Sequence, residues 1–144
     1  MAFDNSAYRA DEDKVARSIS EMWKASCYRL PRFYSLSHTL VENKKPICFL
    51  DVRIRKFPHN QFPTVMLPLS KILRGVEIQN ATGIPFVLAV QFSDGVWYCR
   101  PGDMLMDSLT NVHIDNRNKT AKPGVMQEIE PQVMVRISDL IGVS

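Results

Sequence analysis

The sequence predicts an α/β fold, a mixed central sheet flanked by helices, and three observations predict it. Near-continuous apolar runs at 47–54 and 84–92 suit strands covered on both faces. Segments at 11–28 and 70–82 carry apolar residues at three-and-four spacing, as amphipathic helices do. Helices placed between buried strands have to pack as layers on a shared sheet.

In chain order, the first helix is expected over residues 11–28, with Val15, Ile19, Met22 and Trp23 on its apolar stripe. Its acidic start, Asp11-Glu12-Asp13, suits the positive end of a helix dipole. Pro31 closes that region and directs the chain into extended structure. Residues 32–41 suit a strand of imperfect alternation, 42–46 a turn, and 47–54 the return strand of a hairpin. Residues 55–63 form a loop, and 64–67 a short extended piece before Pro68. Ser70 is a plausible cap for a helix through Ile72, Leu73, Val76 and Ile78, which ends at Thr82-Gly83 because glycine accepts the left-handed closing conformation. A buried strand at 84–92 then turns at Ser93-Asp94-Gly95 into 96–99. A half-buried strand is expected at 132–137, where Val133, Val135 and Ile137 alternate with other residues.

A chain of 144 residues is long enough for one hydrophobic core and short for two, so a single domain, 1–144, is expected. Hydrophobic residues at 45% and charged residues at 23% exclude a disordered or fibrous class. An acidic, polar start and the lack of a bilayer-length apolar run argue against secretion and membrane insertion. Cys27, Cys48 and Cys99 form no close pair of the kind zinc and redox motifs use, and read as buried thiols in a reducing cytoplasm. The net charge of +3 permits contact with nucleic acid without demanding it.

One polar residue, Asp51, interrupts the first apolar strand, directly after a hairpin. Downstream stand Thr82-Gly83-Ile84-Pro85-Phe86-Val87-Leu88, the turn Asp94-Gly95, and a tail with Asp115-Asn116-Arg117 and Glu128-Ile129-Glu130-Pro131. In these features the chain resembles bacteriophage members of the PD-(D/E)xK nuclease superfamily, from about residue 11 to the C-terminus and most specifically over 80–97. The resemblance implies a restriction-endonuclease-like core and a divalent cation, magnesium or manganese, held by carboxylates beside a scissile phosphate. It assigns catalytic positions to Glu12 on the first helix, where Asp11 and Asp13 compete for the role, to Ser37, and to Asp51 and Arg53. Asp51 and Glu12 are then the metal ligands.

Two of those positions depart from the family pattern. Ser37 stands where an aspartate is expected and brings no charge to a cation. In Asp51-Val52-Arg53 an arginine replaces the lysine; it can contact phosphate but stays protonated and cannot serve as a base. A site with one fewer carboxylate binds metal weakly, so the expected cofactor is magnesium or manganese, or none. Asp51 has an equally simple alternative, pairing with Arg53, Arg55 or Lys71. Lys71 could stand in for the absent lysine, although an exposed lysine at a helix start is the simpler account. His38 is expected at the surface or in a hydrogen bond, and His59 and His113 in solvent. Trp23, Trp97, Phe86 and Phe92 suit the core.

Arg53, Arg55, Lys56 and Lys71, with Lys44, Lys45, Arg29 and Arg32, could line a groove for a phosphate backbone, or simply form a solvated strand edge. The resulting expectation is a nuclease-fold protein with degenerate catalysis that binds DNA or a host protein, as inhibitor or decoy, in the host cytoplasm. The alternative is a DNA endonuclease or nickase with a weakened site. A homodimer or other self-associating component is a third, less supported possibility.

Overall fold

The computed structural model describes residues 6–31, 34–104, 112–115 and 130–143. Its helices are α1 (Ser6–Met22) and α2 (Leu69–Thr82). Its strands are β1 (Ser26–Arg29), β2 (His38–Glu42), β3 (Lys45–Ile54), β4 (Thr64–Pro68), β5 (Phe86–Phe92), β6 (Gly95–Cys99), β7 (Val112–Asp115), β8 (Glu130–Arg136) and β9 (Ile141–Gly142). A six-stranded sheet runs β1-β2-β3-β5-β6-β9, mixed because β3 and β5 are parallel and the other pairs antiparallel. A second, three-stranded sheet runs β4-β8-β7, so the segments expected at 64–67 and 132–137 join each other and not the central sheet. No helix among the described residues is long and apolar enough to cross a membrane.

Several sequence expectations need correcting. The first helix begins earlier and stops at Met22, because Lys24 adopts a left-handed conformation (φ 53°) and Ala25 N donates back to Ser20 O at 2.9 Å. The next element is a strand, β1, so Pro31 ends β1 and not a helix. The acidic triplet therefore lies inside α1 and not in its first turn, and its charges are directed at other elements. The expected strand at 32–41 begins only at His38; Arg32 and Phe33 lie outside the described residues. The β2–β3 hairpin turns on Asn43 and Lys44, both at positive φ (52° and 64°), and Lys45 already belongs to β3 opposite Glu42. The capping position of α2 is taken by Pro68, not Ser70, with no side-chain cap. Gly83 closes α2 at φ 74°, as expected.

The apolar alternation of β5 explains how both sides of the central sheet are covered. Phe86, Leu88, Val90 and Phe92 pack with Ile72 of α2 and with Val65, Leu67, Val133 and Val135 of the second sheet. Val87 and Ala89 join Cys48, Leu50 and Val52 of β3 beneath Val15, Ala16 and Ile19 of α1. Each large apolar side chain among them contributes about 1.5–3 kcal/mol on burial. Helix α2 packs directly on the Phe86 ring of β5 at Gly75, which has no side chain. A Cβ there would lie within 2.3 Å of the Phe86 ring. Phe86 and Phe92 are core residues as expected, with Trp23 and Trp97 packed at the core margins. The three cysteines are free; burial pushes the Cys48 and Cys99 thiols up to about 12, whereas Cys27 is only half-buried.

Candidate active site

Register places Ser37 beside Asp51. His38 pairs with Leu50 across β2 and β3, and Ser37 N donates to Leu50 O at 3.1 Å, so Ser37, just before β2, lies next to the β3 strand that carries Asp51. Both line a pocket of about 380 Å³, together with Tyr8, Arg9 and Glu12 of α1, Arg29 of β1, Arg53 of β3 and Lys71 of α2. Strand alternation puts Asp51 and Arg53 on one face, and Lys71 of α2 lines the same pocket.

Asp51 is 4% exposed, an unusual setting for a carboxylate. Arg53 Nε lies 3.3 Å from its Oδ2, but the two are misaligned, and neither atom makes a hydrogen bond. Burial pushes the Asp51 carboxyl above the usual carboxylate range, against the pull of the Arg53 and Lys71 charges. Lys71 is half-buried and its Nζ donates to Ser35 O at 2.8 Å, so it is anchored at the pocket rim and is not a free helix-start lysine. Burial and the Glu12 charge both push the Tyr8 phenol up.

Glu12 faces the same pocket and is held by Arg29 at 3.3 Å. Its neighbour Asp13 faces elsewhere. Asp13 Oδ1 accepts from Arg29 Nη2 at 2.8 Å and Nε at 3.1 Å, and lies 2.7 Å from His38 Nε2. Although its partial burial works the other way, the hydrogen bonds from His38 and Arg29 hold the Asp13 carboxyl below the usual range. His38 is hydrogen-bonded but is only 1% exposed, so the surface alternative is excluded. Burial drives its pKa down despite the Asp13 hydrogen bond.

The remaining basic candidates do not converge on Asp51. Arg55 donates to Met66 O at 2.8 Å and to Ile54 O at 3.1 Å, tying β3 to β4. Lys44 and Lys45 sit at the β2–β3 turn, at the other end of β3. Lys56 lies in the loop after β3, outside the pocket lining. His59 keeps a side chain 30% exposed but is also held: its Nδ1 lies 2.6 Å from Asp94 Oδ2 and its ring stacks on Trp97 at 4.1 Å. The side chain of His113 falls outside the described residues. Tyr8 and Arg9 were missed by starting the helix at residue 11; spacing of four from Tyr8 to Glu12 would have put both on one face.

The sequence matches the family described as "Phage putative PDDEXK endonuclease" over residues 1–143. The chain belongs to that family. No curated protein matches it significantly in sequence. Among solved structures, it is similar to Hjc, a Holliday junction resolvase of the archaeal hyperthermophile Archaeoglobus fulgidus, at a TM-score of 0.53 and 12% identity, over 89% of this chain and 85% of Hjc. That likeness is one of fold, restriction-endonuclease-like.

Nucleases of this kind typically use divalent metals, and the donor set admits one in part. Among the described residues no group of three or more His, Cys, Asp or Glu side chains is gathered as for a metal. Magnesium, however, is commonly held by one or two carboxylates with water and substrate phosphate completing the shell. Asp51 and Glu12 are the two carboxylates that line the pocket, Glu12 already paired with Arg29.

Proposed function

We propose that this chain is a divalent-metal-dependent nuclease acting on DNA, with a site rebuilt around fewer acids than the family pattern has. The observation that carries this is the buried, unsatisfied Asp51 Oδ2 in a pocket edged by Glu12, Arg53 and Lys71. A buried carboxylate oxygen that makes no hydrogen bond costs stability even with Arg53 nearby, and a ligand that fills the pocket offsets that cost. A bound cation would supply charge shielding on the phosphate and an acidified water. Asp51 and Glu12 are the residues that would hold it. Lys71, anchored by Ser35 O, supplies the ammonium that Arg53 cannot, and Arg53 with Arg9 orients the phosphate backbone.

A second reading has its own support: Ser37 contributes no charge, and Glu12 is already neutralised by Arg29. In that reading the protein binds DNA, or a host protein, without cutting. One assay separates them, in which single- and double-stranded DNA are incubated with purified protein, with and without magnesium or manganese, beside Asp51→Ala. Manganese-dependent cleavage lost by at least about a hundredfold in Asp51→Ala is the expected result. Binding without cleavage, or cleavage that survives the substitution, favours the second.

A further inference from the structure

Tyr8 brings an aromatic ring to a cationic pocket. It lies one turn before Glu12 on α1, is 44% exposed, and lines the pocket with Arg9, Glu12, Asp51, Arg53 and Lys71. Tyr28 is still more exposed but lies on the edge strand β1 outside this lining, so location and not exposure singles Tyr8 out. The charges felt by its phenol are those of Glu12, Arg53, Arg55 and Asp51, which turns the hydroxyl end of the side chain toward the pocket. Among the described residues the ring has no aromatic partner and the hydroxyl no hydrogen bond. The backbone that carries Tyr8 and Arg9 is held in place, because Arg29 Nη2 donates to Arg9 O at 3.0 Å.

The cations around the ring keep donors to spare. Arg53 Nε is buried and makes no hydrogen bond, and Lys71 Nζ has three N–H groups, one of them given to Ser35 O. Arg9 forms no ion pair among the described residues. Arg29 differs: Glu12 and Asp13 hold it, and it stands between this pocket and a second one lined by Asp13 and His38. Spare cationic donors beside an exposed ring are the parts with which proteins grip single strands, tracking the backbone by charge and the bases by stacking. A base inside an intact duplex has both faces covered by its neighbours and offers none to Tyr8. The pocket volume of about 380 Å³ lies near the lower end of the range that encloses a drug-sized molecule, which suits one nucleotide and not a base pair.

We propose that this pocket takes one unpaired nucleotide of a DNA strand, its base stacked on Tyr8 and its phosphate held by Arg9, Arg53 and Lys71, so that the substrate is single-stranded or locally opened DNA and not intact duplex. The inference rests on the DNA reading above and adds to it the strand type and the residue that selects it. Every base has a π-face, so the selection is by strandedness and not by sequence. The ring of Tyr8, and not its hydroxyl, supplies the contact.

Binding is measured on the full chain in EDTA, where no metal-dependent cutting interferes, by the anisotropy of a labelled single strand, of its duplex, and of that duplex with an internal unpaired bubble. Strand and bubble should bind at least about tenfold more tightly than duplex. Tyr8→Ala should weaken strand binding about tenfold and leave duplex binding as it was, and Tyr8→Phe should restore the strand affinity. A strand carrying 2-aminopurine should lose fluorescence on wild type and on Tyr8→Phe but keep it on Tyr8→Ala, a readout that a merely structural tyrosine would not move. Thermal melting checks that each variant folds. Equal affinity for strand and duplex, or a folded Tyr8→Ala that binds the strand like wild type, overturns the inference, and manganese-dependent cutting of duplex by that protein leaves the nuclease reading standing without it. Failure to bind DNA of any form overturns both. Tyr8-dependent strand binding by a protein that never cuts supports the nucleotide pocket and removes the nuclease reading.

Discussion

Asp13 and Asp51 stand at two neighbouring pockets and show opposite ways of keeping a carboxylate. Asp13 is partly exposed, accepts from Arg29, adjoins His38 and ionises more readily than usual. Asp51 is almost fully buried, leaves one oxygen without a hydrogen bond and ionises less readily than usual. The first contributes to folding as it stands. The second carries a desolvation cost that the nearby Arg53 and Lys71 charges only partly offset.

The sharpest way to break this comparison is Asp51→Asn. A carboxyl whose folded pKa is raised lends stability that is full below its unfolded pKa and lost as pH rises through the folded value. At neutral pH the amide should therefore raise the melting temperature by several degrees while abolishing any stabilisation by manganese. Calorimetry at pH 7 with and without metal checks both, and a melting temperature that falls would place Asp51 with Asp13 among the structural carboxylates.

Next in size is Lys71→Ala, which removes the cation beside Asp51 with little loss of core. DNA cleavage should drop about ten- to a hundredfold with the fold unchanged, whereas Arg53→Lys should leave or improve it. Equal losses in the two variants would show that Lys71 has no separate role.

The smallest effect belongs to Asp13→Asn. Its depressed pKa places its stabilisation above the unfolded value and removes it as pH falls through the folded one. Solvent screening limits the loss to about 1 kcal/mol at pH 7. Urea melts at neutral pH and near pH 3 should show the difference closing at the acid end.

Much of the central sheet was legible because its strands are apolar runs bounded by turn residues: 47–54 became β3, and Asp94-Gly95 opened β6. The closing glycine of α2 was equally plain. Pairing of β4 with β8 was not, since it joins segments more than sixty residues apart and neither strand encodes its neighbour. At the site, Ser37 and Asp51 came together as the hairpin register implies. The Asp13–His38 link escaped because it depends on where α1 starts and how it lies on β2, which no local pattern reports. Lys71 was offered both as a stand-in for the lysine and as an exposed helix-start residue, and sequence alone left the two open because its position is set by helix docking and not by its own neighbours.

That docking distance is fixed at one point. Gly75 lies one turn beyond Lys71, and the Phe86 ring fills the space a methyl would need. A single added carbon there would lever the helix off the sheet and swing the Lys71 ammonium away from Asp51, so the chemistry of the pocket is adjustable from a residue that never touches it.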